Sequence, residues 1–133
     1  MKKCVIIVNK DLPLGLKANI SAVLCMSLGK IHPEIVGADL IDADNNIYIG
    51  ITTIPVPILE THTDAIKAAK ILADEDTTLA IVFNCSALST KDYTAYETNI
   101  RNKKTSDIVF HGLLMYGEKI YVNKITGKFP LMR

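Results

Sequence analysis

The chain lacks a charge surplus, a cysteine frame and a long apolar run, and each absence removes a class of protein. Its 133 residues hold 15 Lys and Arg against 14 Asp and Glu, a net charge of +1. A broad nucleic-acid surface needs a basic excess, so nucleic-acid binding is expected to be weak and confined to a local patch. There are three cysteines, Cys4, Cys25 and Cys85, an odd number at long spacings inside apolar segments. They read as reduced, buried thiols, with neither a disulfide frame nor a metal site, and no cofactor is expected. No uninterrupted apolar run approaches the ~18–20 residues that span a bilayer. Met1-Lys2-Lys3 is followed by only five apolar residues, too short for a signal-peptide core. The expected location is cytoplasmic, without a membrane. No repeat, linker or low-complexity stretch breaks the chain.

What is present is apolar: 49% of the residues, enough to fill the core of one domain spanning 1–133. Cys4 to Val8 do not alternate and predict a strand buried on both faces. A polar loop, Asn9 to Gly15, leads into a helix from Leu14 to Ile31, ended by Gly29-Lys30 and Pro33. Lys17, Asn19, Ser21 and Ser27 are the few polar positions between Leu14 and Gly29. A surface helix would carry one apolar stripe. This one is apolar around most of its circumference, which predicts either cover on two sides or a contact between subunits.

Val36–Ile41 and Ile47–Ile51 predict a hairpin turning at Asp44-Asn45-Asn46. Asp42-x-Asp44-x-Asn46 imitates the start of a calcium loop. Ile47 stands where that loop needs glycine and Thr53 where it needs glutamate, so the string reads as a turn. Ile54 to Leu59 is extended, with two prolines that suit an edge or a lead-in. Thr61-x-x-Asp64 opens a second helix with Ala65, Ile66, Ala69, Leu72 and Ala73 on one stripe. Thr78 to Phe83 is a buried strand. Ser89-x-x-Asp92 caps a third helix whose Tyr93, Tyr96 and Ile100 face the core. Arg101 to Asp107 is a charged loop, and Ile108–Tyr116 with Lys119–Val122 forms a closing hairpin around Gly117-Glu118. The order predicts an α/β fold, a mixed β-sheet with helices on its faces. Sites in such sheets gather where strands end and helices begin, here at Asn9–Lys17 and Asn84–Thr90.

Val5-Ile6-Ile7-Val8-Asn9-Lys10-Asp11-Leu12-Pro13-Leu14-Gly15-Leu16-Lys17 resembles the opening of type-2 peptidyl-tRNA hydrolases, V-V-R-x-D-L-x-M-G-x-G-K. The whole chain is similar to an uncharacterised bacterial domain family of that fold group. The marks are Asp11-Leu12 with Gly15 and Asn19, Ile54 to Leu59, and Val122 to Leu131. The resemblance implies the type-2 peptidyl-tRNA hydrolase-like fold and carries that family's lysine onto Lys17 and its aspartate onto Asp11. Asn9 stands in the arginine position, Ser21 in the glutamine position and Leu24 in the histidine position. Where D-A-G-R-T-Q is expected, the chain has Asn84-Cys85-Ser86-Ala87. An amide cannot exchange a proton as a carboxylate does, so the resemblance implies the fold and not the hydrolase chemistry.

The catalytic candidates are Lys17, which would hold a phosphate or stabilise developing negative charge, and Asp11, which is read as accepting backbone N–H groups in its turn. The ligand-binding candidates are Lys10, Asn19, Asn84 and Ser86. Asn19 is read as a buried amide that ties down the loop. Cys85 beside Ser86 has no histidine near it in sequence, and His111 reads as a core or interface residue. The function these features predict is a non-catalytic ligand-binding or regulatory domain, taking a small molecule or anion and dimeric through the first helix. The alternative is a hydrolase acting on an ester or phosphate-bearing substrate such as a peptidyl-tRNA.

Overall fold

A computed structural model describes residues 1–133. In chain order the elements are β1 (Lys2–Asn9), α1 (Leu14–Ile31), β2 (Leu40–Ile41), β3 (Ile47–Tyr48), β4 (Ile58–Thr61), α2 (Thr63–Glu75), β5 (Leu79–Asn84), α3 (Cys85–Ser89), α4 (Tyr93–Arg101), β6 (Phe110–Glu118) and α5 (Lys119–Thr126). Short 3₁₀ turns follow α1 and precede β6. The main sheet has the order β4-β1-β6-β5. β1 pairs in parallel with β4 and antiparallel with β6, and β5 pairs antiparallel with β6.

β1 is central, and its lack of alternation has a direct cause. Cys4, Ile6 and Val8 point to one side, beside Leu114 of β6, and Ile20, Leu24 and Leu28 of α1 cover them. Val5 and Ile7 point to the other side, onto Ile66 and Ala69 of α2 and Val122 and Ile125 of α5. The result is three layers, with one helix on one face and two on the other. Gly112 of β6 lies under α1, and a Cβ there would run into the Ile20 side chain. Along the outer edge of β4, the Glu60 N–H donates to the Pro130 carbonyl at 3.0 Å and the Met132 N–H to the Ile58 carbonyl at 2.8 Å.

Several expectations need correction. The closing hairpin is absent: β6 runs through Gly117 to Glu118 and then becomes α5. Val122, Ile125 and Thr126, spaced three and four apart, are its buried face, and the four residues Lys119–Val122 were too few to show that period. α2 begins at Thr63 with His62 before it and no side-chain cap, because Thr61 is already paired in β4. Asp92, not Ser89, caps α4, accepting the Ala95 N–H at 2.8 Å; Ser89 ends the unforeseen α3. α4 buries none of its residues, so Tyr93 is a surface side chain, stacked edge-on against Tyr96 at 5.4 Å. The turn of the 36–53 hairpin is as expected, with Asn45 left-handed at φ 67°, but its strands are only two residues each. α1 is also long and apolar enough to cross a bilayer by length and composition. The run-length reading missed this because Lys17, Asn19 and Ser21 interrupt the sequence. In the fold one face of α1 lies on the sheet.

Candidate functional site

β1, β4 and β5 share one direction, since β6 is antiparallel to both β1 and β5. Their C-terminal ends therefore meet at one edge of the molecule, where α1 and α3 begin and where β6 enters. Polar side chains collect there: Asn9 from β1, Glu60 from β4, Asn84 from β5 and His111 from β6. Open α/β sheets place their ligand crevices at such ends.

On the α1 side, Lys17 Nζ donates to Glu60 Oε1 at 3.1 Å, with side-chain exposures of 7% and 19%. The Lys17 hydrogen bond is the main reason the Glu60 carboxyl lies below its usual range. Desolvation opposes the shift, while the Arg133 N–H and the nearby Lys10 ammonium add to it. Ser21 Oγ donates back to the Lys17 carbonyl at 3.0 Å. A buried ammonium needs a partner, and Glu60 supplies it, so the Lys17 charge is already matched.

Asn9 works in two directions. Its Oδ1 accepts the Asp11 N–H at 3.0 Å, so Asn9, and not Asp11, is the residue that closes the turn. Its Nδ2 stands 3.1 Å from His111 Nδ1. Burial pushes the His111 pKa down, which favours the neutral ring. Nδ1 then accepts from the amide and the proton sits on Nε2.

The third group surrounds the start of α3. Asn84 Oδ1 accepts the Ser86 N–H at 3.0 Å and Asn84 Nδ2 donates to the Tyr96 hydroxyl at 3.3 Å. Ser86 Oγ, fully buried, donates to Asn99 Oδ1. Cys85 is not the buried thiol expected from its apolar neighbours. Its Sγ lies 3.4 Å from the Val109 N–H and 3.6 Å from Lys103 Nζ. Burial pushes this thiol up, but the Val109 N–H, Lys103 and Ser86 outweigh it and hold the pKa below its ordinary value. Cys4 behaves in the opposite way, pushed up to about 12 by burial and by neighbouring Cys25.

Beside this group, α1, β5 and the α3–α4 segment enclose a cleft of about 430 Å³. Leu24, Phe83 and Ala87 line its walls, Tyr93 and Tyr96 one flank, and Lys91 and Asp92 are among its polar lining residues. Tyr96 joins the two features, lining the cleft while its hydroxyl meets Asn84.

The structure thus brings Lys17 to Glu60 and joins Asn84 to Ser86, with no hydrogen bond between the two groups. Lys10 and Asp11 are exposed. Asn19 is exposed as well, so it is not a buried amide: it lies on the outer face of α1, away from the sheet-facing Ile20 and Leu24. Glu60, Tyr96, Asn99 and Lys103 were missed. Glu60 had one local signal, a carboxylate closing the apolar strand Ile58-Leu59.

Comparison with known proteins gives the class and then the family. The fold is that of a solved protein of unknown function from Agrobacterium tumefaciens str. C58, with a TM-score of 0.91 at 20% identity, covering 99% of this chain and 98% of that one. A family model described as protein of unknown function, DUF2000, matches residues 2–133, and the chain belongs to that family. No curated protein matches it.

Proposed function

We propose that this chain is a non-catalytic ligand-binding or regulatory domain, cytoplasmic and homodimeric, on the type-2 peptidyl-tRNA hydrolase-like fold. The observation that carries the reading is the cleft of about 430 Å³ beside polar groups already committed to one another. A hydroxyl poised for transfer needs a base within hydrogen-bond reach. Here the hydroxyl of Ser86 donates to an amide, His111 faces an amide, and Lys17 is held by a carboxylate. The cleft offers apolar and aromatic walls with few polar groups, which suits a small, largely apolar molecule bearing one polar or anionic group near Lys91. The fold grouping is supported by the resemblance of the Val5–Lys17 opening and by the marks that run to Leu131.

The test is native mass spectrometry of the purified protein, followed by thermal-shift titration of whatever co-purifies. Ala87→Phe fills the cleft and is expected to abolish both the bound mass and the rise in Tm. Binding unchanged in Ala87→Phe overturns the reading.

A second reading, hydrolysis of an ester or phosphate-bearing substrate such as a peptidyl-tRNA, draws on one observation: Lys17, Glu60, Asn9 and His111 gather at neighbouring strand ends. Robust turnover of a peptidyl-tRNA, lost in Lys17→Ala, would establish it. Binding of tRNA is expected to be weak and steeply salt-dependent.

A further inference from the structure

We propose that the hairpin 36–53 is an arm that grips a second copy of this chain across the outer face of α1. The inference takes the dimer named above and assigns its interface; the ligand reading does not enter it.

The arm carries an unusual surface. Leu40, Ile41, Ile47, Tyr48, Ile49 and Ile51 are exposed by 54% to 84%. Leu40 and Ile41 are adjacent in one strand, and Ile47 and Tyr48 in the other, so apolar side chains project from both faces. β2 and β3 form a sheet of their own, separate from the main one. An isolated two-stranded hairpin is marginal in water, yet this one is thoroughly braced. The Asp42 carboxylate accepts the N–H groups of Asp44 and Asn46, each at 2.9 Å, and the Tyr48 hydroxyl at 2.8 Å. Asp39 accepts the Gly50 N–H at 3.0 Å. At the base, the Gly37 N–H donates to the Ile51 carbonyl and the Thr53 N–H to the Ile35 carbonyl, both at 2.8 Å. The strands approach so closely there that a Cβ on Gly50 would strike the Gly37 carbonyl. The arm is thus specified in detail and ends in a bare apolar surface of the kind that marks an interaction site.

The occupant is argued from the same chain. α1, the long helix just before the arm, has an outer face without a cover: α2 and α5 lie beyond the opposite face of the sheet. Met26 is exposed there by 78%, beside exposed Ala18, Asn19 and Ala22, whereas Val23 stands on the flank that lines the cleft. The apolar arm and this uncovered face of α1 do not pack on one another within one chain. A twofold exchange lays each arm on the other copy's α1 and makes the contact twice. Charge favours the same occupant. Residues 36–53 contain Asp39, Asp42 and Asp44 and no Lys or Arg, which repels anionic lipid and nucleic acid, while α1 ends in exposed Lys30.

The experiment is light scattering at tens of micromolar on the full chain. The expected mass is two chains for the wild type. Ile49→Asp with Ile51→Asp, and separately Met26→Asp, should each weaken the dimer by about tenfold or more. Both variants should keep the wild-type far-UV spectrum, because all three sites are exposed. A dimer undisturbed by both variants overturns the arm and leaves the dimer standing. A wild-type mass of one chain overturns both. A single-chain wild type that sediments with phosphatidylcholine vesicles, and loses this in the double variant, overturns the proposal in favour of a membrane-facing arm.

Discussion

The central sheet and the hairpin 36–53 are built from the same kinds of residue and end in opposite environments. β1 holds Cys4, Val5, Ile6, Ile7 and Val8 with almost no exposure, shielded by helices on both faces. The hairpin holds a comparable set of isoleucines with leucine and tyrosine, and leaves them in solvent. The difference lies in what the chain supplies next. β1 is followed by α1, and later by α2 and α5, which close over it. The hairpin is followed by Ile54 to Pro57 and then β4, which returns to the main sheet. Burial of apolar surface is the main drive to fold, about 25 cal/mol per Å², and the sheet takes it from its own chain. In the proposed dimer the arm gives its apolar surface to a second copy, and Asp42 and Asp39 hold its backbone in place.

The sharpest way to test that contrast is a matched pair of truncations. Leu114→Ala, in the sheet, removes a fully buried side chain and should cost ~2–5 kcal/mol in urea unfolding. Ile49→Ala, in the arm, should leave the stability of a single chain within ~0.5 kcal/mol, measured at a dilution where only single chains remain. Equal losses at the two sites would remove the distinction. Gly112→Ala should come next, at about 1–3 kcal/mol, because the new methyl meets Ile20 and the core has to shift. A melting temperature equal to wild type would mean that α1 is less tightly seated than described.

Gly50→Ala should act on the arm alone. Its methyl meets backbone at the base of the hairpin, so hydrogen exchange across 36–53 should speed up while β1 stays protected. Acceleration in β1 would couple the arm to the body. The smallest effect concerns Lys17 and Glu60. Glu60 is held low by Lys17, so its carboxylate is favoured in the folded state. The stability this adds is fully present above the ordinary carboxylate range and is lost as pH falls through the folded value. Lys17→Met should therefore flatten the acid limb of the stability profile. An acid limb as steep as that of the wild type would show that the pair is not responsible for it.

Sequence reading reached some of these features and missed others for identifiable reasons. β1 and α1 were legible because their signals are local: an unbroken apolar run, then a long apolar helix stopped by Gly29-Lys30 and Pro33. The bare outer face of α1 was legible for the same reason, from an apolar surface wider than one sheet can cover. The partner of Lys17 was not, because Glu60 lies 43 residues away and arrives only through parallel pairing of β1 with β4. The pairing of His111 with Asn9 likewise needs the antiparallel register of β6. Asn19 was misread as buried because an amide among apolar neighbours looks internal unless the sheet-facing side of the helix is known. The cleft escaped notice since its walls come from α1, β5 and the α3–α4 segment together. The arm was recognised as a hairpin, but nothing local showed that its apolar side chains would find no cover.

Hydrogen exchange followed by mass spectrometry at two protein concentrations tests the central claim most directly. At high concentration the amides of 36–53 and of the outer face of α1 should be more strongly protected than at low concentration, while those of β1 and β6 should not change. Arm amides that exchange at one fast rate at every concentration would contradict the account, because no second copy would then be covering them.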